Sequence, residues 1–270
     1  MRKHPRIFVF TSLTLLICGL PALAVGVDEA APADPAMPMI RVSVDGVASA
    51  STFPILRAPE LGGFTATSMP KALVVHVDPH ENTLTAAARD RIAMLLMNEG
   101  WEVVIRDLYR SGFDPVARAE EISFNSKVVA ERPPEIRADQ DLVRDADALI
   151  LIYPLWWKQP PAMMKGWMDR IFTYGFAYEF VEGSQDSLVS LLAGKTVFTI
   201  NVVASHEGVF KDLGYEEYLE MADRSLFDFS GIEVLGRHII YSSTDMDLAA
   251  KAACLEDLAT LTVLLNPVSP

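Results

Sequence analysis

The sequence predicts an α/β domain built on a doubly wound, five-stranded parallel sheet with helices on both faces. Three observations lead there. From Lys71 onward, apolar runs of strand length alternate with helically spaced segments across short connections, the pattern of repeated βα units. The run Leu149 to Tyr153 is apolar without interruption, as in a strand buried on both faces. Pro160 and Pro161 follow at once and suit the first turn of a helix, where a missing N–H costs nothing.

The elements follow in order. Ala72–Val77 reads as the first strand of the domain, and residues 83–98 as a helix through Leu84, Ala88, Ile92, Leu95 and Leu96, closed by Gly100. Trp101–Ile105 is the second strand. Residues 112–137 read as a long irregular connection containing Pro133-Pro134, and Asp139–Asp145 as a short helix before the third strand at Leu149–Tyr153. A helix from Ala162 to Phe172 places Met164, Trp167, Met168 and Ile171 on one face and Lys165 and Asp169 elsewhere. Thr196–Val202 is the fourth strand, Tyr215–Phe229 a helix, Glu233–Tyr241 the fifth strand, and Asp247–Leu264 a closing amphipathic helix.

Pro154 ends the third strand, and Leu155-Trp156-Trp157-Lys158 follows on a loop just past its carboxyl end. Open α/β sheets bind ligands there. Two adjacent tryptophans on such a loop cannot both face one core, so a flat aromatic cofactor is the expected guest of one of them. Pro154-Leu155-Trp156-Trp157, Pro161-Ala162, Lys165-Gly166-Trp167, Asp169-Arg170 and Gly175-Phe176-Ala177-Tyr178 resemble the signature of the NAD(P)H quinone oxidoreductases. That group of flavodoxin-like flavoproteins includes the ancillary subunits of bacterial potassium-efflux systems. The likeness runs from about Lys71 to the C-terminus. It implies a flavodoxin-like fold, FAD (or FMN) as cofactor, NAD(P)H as co-substrate, a quinone-like acceptor and a homodimer. It also implies that Tyr178 and Phe180 line the catalytic pocket from across the dimer.

A flavin needs a phosphate cradle, a flat wall and donors for its carbonyl oxygens. Thr83, Leu84 and Thr85 open the first helix, where free N–H groups and the helix dipole favour an anion; the threonines serve equally well as caps. Pro154, Leu155, Trp156 and Trp157 form the expected wall, Lys158 beside them is placed to sense a cofactor phosphate, and Asn201 is the expected donor on the second loop. The chain departs from the family's pattern at several places, and Thr83 and Thr85 themselves stand where serine and asparagine are usual. Asp78 stands at a histidine position in the first loop. Asn201-Val202-Val203-Ala204 replaces Thr-Thr-Gly-Gly, and Val203 resists the positive φ that glycine allows. Phe210, without a hydroxyl, lies near the place of a relay tyrosine. His206 is the nearby histidine and, with Tyr178, the candidate for catalysis. A non-catalytic or regulatory subunit with a weakened flavin site is the alternative these departures support. A one-electron flavodoxin carrier is disfavoured, since no Thr/Ser-rich phosphate loop with glycine follows the first strand.

The chain has 270 residues, half of them hydrophobic, and a net charge of −13. That acidity argues against nucleic acid and anionic lipid surfaces as partners. Cys18 and Cys254 make no disulfide framework and no metal spacing with the histidines, so no metal site is expected. Arg2, Lys3 and Arg6, the apolar run Ile7–Leu20 and Ala22-Leu23-Ala24 form the three ordered features of a secretory signal peptide. Residues 1–24 are therefore expected to direct export to the periplasm or beyond. No membrane contact is indicated beyond that segment. Residues 25–70 read as an irregular, proline-rich extension with one short strand at Ile40–Val44, and residues 71–270 as the flavodoxin-like domain. Translation from Met69 is the competing reading and implies a cytoplasmic protein.

Overall fold

The computed structural model of the chain describes residues 40–41, 69–121, 132–181 and 188–265. The expected signal peptide and most of the expected extension lie outside these. The chain runs β1 (Ile40–Arg41), β2 (Lys71–His76), α1 (Leu84–Asn98), β3 (Glu102–Asp107), α2 (Pro134–Asp145), β4 (Ala148–Pro154) and α3 (Ala162–Ile171). It continues through β5 (Tyr178–Phe180), β6 (Leu188–Ser190), β7 (Thr196–Val202), α4 (Glu207–Asp212), α5 (Tyr215–Ser230), β8 (Glu233–Ile240), α6 (Leu248–Asp257) and α7 (Thr262–Leu265).

Five strands pair in parallel in the order β3-β2-β4-β7-β8, the five-stranded parallel sheet that the alternation predicts. The two-residue β1 adds an antiparallel edge beside β3, with Ile40 opposite Ile105. Strand order reverses at β2 and β4, which places the crevice for a ligand outside their carboxyl ends. Period-2 alternation divides the core between the two faces. Leu73, Val75, Leu149, Leu151 and Tyr153 pack under α2, α3 and α5 with Ile136, Trp167 and Phe227. Ala72, Val74, Ala148, Ile150 and Ile152 pack under α1 and the C-terminal turn with Ile92, Leu96 and Leu258.

Local chemistry sets the boundaries. Thr83 caps α1, its hydroxyl accepting the Ala86 N–H at 3.1 Å, and Gly100 follows the helix at φ 86°, a conformation open to glycine. On α3 the expected face of Met164, Trp167, Met168 and Ile171 is buried, while Lys165 and Asp169 pair on the outside. Gly166 is there for contact: a Cβ would lie 2.1 Å from the Pro115 carbonyl oxygen. Arg170 secures the same crossing, binding both oxygens of Glu121 at 2.7 and 2.6 Å and the Asp114 carbonyl at 2.5 Å.

Three expectations need correction. The helix before β4 begins at Pro134 rather than Asp139, because proline is preorganised for a first helical position. Strand β3 is shifted toward the carboxyl end, to Glu102–Asp107, and Trp101 is a buried residue before it. The closing helix is broken: α6 gives way to a 3₁₀ turn at Leu258–Leu261 and then α7. That tightening turns Leu258, Leu261 and Leu265 onto the sheet. The hairpin β5–β6 and the short α4 occupy stretches that carry no readable period.

Candidate active site

At the carboxyl end of β4, Trp156 and Gln159 exchange backbone hydrogen bonds at 3.0 Å, closing a two-residue reverse turn around Trp157 and Lys158. Both central residues are left-handed, at φ 53° and 64°. A non-glycine residue there is strained by about 1 kcal/mol or more. The turn divides its tryptophans as the loop position predicts. Trp156 is partly covered, whereas the Trp157 ring is 98% exposed. A strained turn that lifts an indole wholly into solvent gains nothing from packing in this chain. Leu155 is buried, its N–H bonded to the Val202 carbonyl, and Pro154 is the last residue of the strand.

The first loop supplies the helix N-terminus. The Thr83 hydroxyl and carbonyl take the N–H groups of Ala86 and Ala87, which leaves the first-turn amides of Leu84 and Thr85 for an anion. Leu84 is half-buried and Thr85 is buried, so Thr85 offers its backbone rather than an exposed hydroxyl. Asp78 turns its carboxylate onto the N–H of His80 at 2.9 Å, engaging the charge within the loop. Beneath it, the His76 Nδ1–H donates to the Asp107 carboxylate at 2.9 Å. Burial pushes the Asp107 carboxyl up, but His76, the Arg110 N–H and the Arg89 charge outweigh it and hold it below its ordinary value.

The second loop departs from the expected role of Asn201. That side chain is fully buried. Its amide donates to the Tyr153 carbonyl at 3.0 Å, and its oxygen accepts from the Arg237 guanidinium, which also reaches Asp223 and the Tyr153 hydroxyl. Asn201 therefore ties together the strands from which both loops emerge and presents nothing to the rim. Its position on the sheet face under α5 leaves it no route to solvent. Val203 keeps a φ that is not positive, as valine prefers, and its N–H is bound to the Ile240 carbonyl at 2.9 Å. His206 stands at the start of α4, exposed, with Nδ1 2.8 Å from the Ser242 hydroxyl. Lys158 reaches across the gap to hydrogen-bond Ser205.

Tyr178 lies elsewhere. Helix α3, about 15 Å long, carries the chain from the carboxyl edge of the sheet back to its amino edge. There the Tyr178 ring packs 4.7 Å from Phe229, at the end of α5, and beside Tyr174 and Phe180. Burial raises its hydroxyl pKa, with Arg132 pulling the other way. Within one chain Tyr178 and His206 thus lie at opposite edges of the sheet. Sequence reasoning also missed Arg237, Ser205 and Tyr241. The Tyr241 ring meets buried Phe210 edge to face and its hydroxyl donates to Glu216. Isolated polar residues in an alternating strand or a short loop give no periodic signal.

The fold defines a flavodoxin-like α/β protein, and the exposed aromatic at the carboxyl edge marks a candidate ligand site at the strand-order switch. Residues 70–261 match the flavodoxin-like fold family. An uncharacterized NAD(P)H oxidoreductase of Haemophilus influenzae is 30% identical over 197 residues, spanning 69% of this chain and 95% of that protein. The human ribosyldihydronicotinamide dehydrogenase [quinone] is 28% identical over 64% of this chain and 81% of its own length. An FMN-dependent NADH-azoreductase of Bacillus anthracis, solved in complex with FMN, superposes with a TM-score of 0.55 over 74% of this chain and all of that one. At 16% identity that likeness concerns the fold. The chain belongs to the flavodoxin-like family of NAD(P)H quinone oxidoreductases, and it is an oxidoreductase.

Proposed function

We propose that this protein binds a flavin at the carboxyl edge of its sheet and passes electrons from NAD(P)H to a quinone-like acceptor. The observation that carries this reading is the Trp157 ring, 98% exposed on a strained turn where an α/β sheet receives its ligand. The relatives' names supply the nicotinamide and the quinone, and the FMN held by a protein of the same fold supports the flavin. FAD is the first choice and FMN the second. Bound flavin supplies the hydride chemistry; the chain supplies a wall in Trp157, an anion site at the start of α1 and a cation in Lys158. The purified protein is expected to be yellow or to take up FAD or FMN, and then to oxidise NADH or NADPH when a quinone is present. A colourless protein that takes up neither flavin would leave the regulatory-subunit reading in its place, which the unusual loop at Val202–Ala204 favours. Export through residues 1–24 is part of the proposal, and mass spectrometry of the mature N-terminus tests it.

A homodimer completes the site. Tyr178 and Phe180 stand at the other edge of the sheet from Trp157, so in this reading they serve the cofactor of a two-fold partner. Around them Val181, Val189, Leu191 and Phe229 expose apolar surface on β5–β6 and the end of α5, a patch suited to association. Light scattering at micromolar concentration is expected to give a dimer for the wild type and a monomer for Tyr178→Asp, with quinone reduction lost in the variant. A fully active wild-type monomer would refute the shared site.

A further inference from the structure

Lys158 sits where the two carboxyl-edge loops meet. Its backbone is left-handed, like that of Trp157 before it, so one turn fixes the exposed ring and the cation together. The ammonium hydrogen-bonds the Ser205 hydroxyl and lies 4.6 Å from the centre of the Phe210 ring and 5.7 Å from that of Tyr215. None of these partners carries a compensating charge. Among the described residues no carboxylate lies within ion-pair distance of this nitrogen, whereas Lys165 and Lys211 each pair with an acidic neighbour one turn away. An uncompensated cation held beside an exposed aromatic wall is arranged for a flat ring system that bears, or acquires, negative charge.

We propose that Lys158 is the counter-charge for the reduced cofactor, holding two-electron-reduced flavin more tightly than oxidised flavin. The inference rests on the flavin reading above. A hydride leaving a nicotinamide carries two electrons and one proton; the nicotinamide departs as a cation and the flavin gains one negative charge. A fixed ammonium in a partly desolvated loop cluster stabilises that charge more than water does, and it is one of the levers a protein has on its flavin. His206 does not supply the same charge, because it is exposed and its ring faces Ser242 and Asp245. A staple between the loops is the competing role for Lys158. A staple acts equally on both oxidation states, and a counter-charge does not.

The test is anaerobic titration of oxidised and dithionite-reduced FAD and FMN against the wild type, Lys158→Met, Lys158→Arg and Ser205→Ala. Lys158→Met is expected to weaken the reduced form at least about tenfold more than the oxidised form, lowering the midpoint potential of the bound flavin by about 30 mV or more. Lys158→Arg keeps the charge and is expected to stay within about threefold of the wild-type ratio. Ser205→Ala removes the tether, keeps the charge, and is expected to move both affinities together. Equal weakening of both forms in Lys158→Met, or no change in either, overturns the assignment while leaving the flavin reading standing. A wild type that binds no flavin in either state overturns both.

Discussion

Asp139→Ala is expected to destabilise the fold by about 4 kcal/mol, within the range for stripping one partner from a buried ion pair. The Asp139 side chain is fully buried; one oxygen accepts from Arg106 Nε at 2.8 Å and the other from the Trp167 indole N–H at 2.8 Å. Burial lifts its carboxyl above the ordinary aspartate range, although Arg106 and the indole pull it down. Removing it leaves a guanidinium that is itself 5% exposed without its counter-charge, and an orphaned N–H beneath α3. A typical domain has only about 5–15 kcal/mol in all, so the variant should be marginal at best. Urea unfolding by circular dichroism measures the loss. A change below about 1 kcal/mol would show that the pair contributes no more than a surface ion pair does. Asp139→Asn keeps an acceptor for the indole and is expected to be the milder of the two.

Trp157→Ala should behave in the opposite way, with stability held and ligand lost. The ring is 98% exposed and makes no core contact, so the melting temperature is expected to stay close to wild type, a change within about 0.5 kcal/mol. Trp157→Gly is expected to be no less stable than Trp157→Ala, because glycine adopts φ 53° without strain. Stacking on a protein aromatic is worth about 1–3 kcal/mol per ring by alanine substitution, so flavin should bind roughly ten- to a hundredfold more weakly. Fluorescence titration of FAD and FMN, read beside a thermal melt, separates the two effects. A collapsed melt with flavin occupancy of the folded fraction unchanged would make Trp157 a core residue and end its role as the wall.

The two predictions differ in how far the sequence announces them. Trp157 announces itself: two adjacent tryptophans after a buried strand and before Pro160-Pro161 leave one ring without a core to enter. Asp139 does not, since nothing in Gln140-Asp141-Leu142-Val143 around it marks which acid turns inward. Arg106 is equally silent, lying between Ile105 and Asp107 in a strand whose other polar end residue forms a different network. The candidate site divides along the same line. Trp156, Trp157 and the helix start at Thr83 were legible from punctuation and apolar pattern. The commitment of Asn201 to Arg237, the reach of Lys158 to Ser205 and the distance between Tyr178 and His206 were not.

Local and periodic features are what the sequence by itself determined: five strands, their helices, the faces that α1 and α3 bury, and the loop that lifts an aromatic ring clear of the sheet. Each follows from propensity, proline placement or apolar spacing within some twenty residues, where the chain's own geometry decides the outcome. The tertiary structure alone decided which polar groups meet. Arg237 finds Asn201 and Asp223 across 36 and 14 residues of chain, and Arg106 finds Asp139 across 33. These pairings arise when separate elements are laid on one sheet, and burial then demands a partner for every charge they carry inward. A period-2 pattern records that a side chain faces in; it holds no record of what waits there.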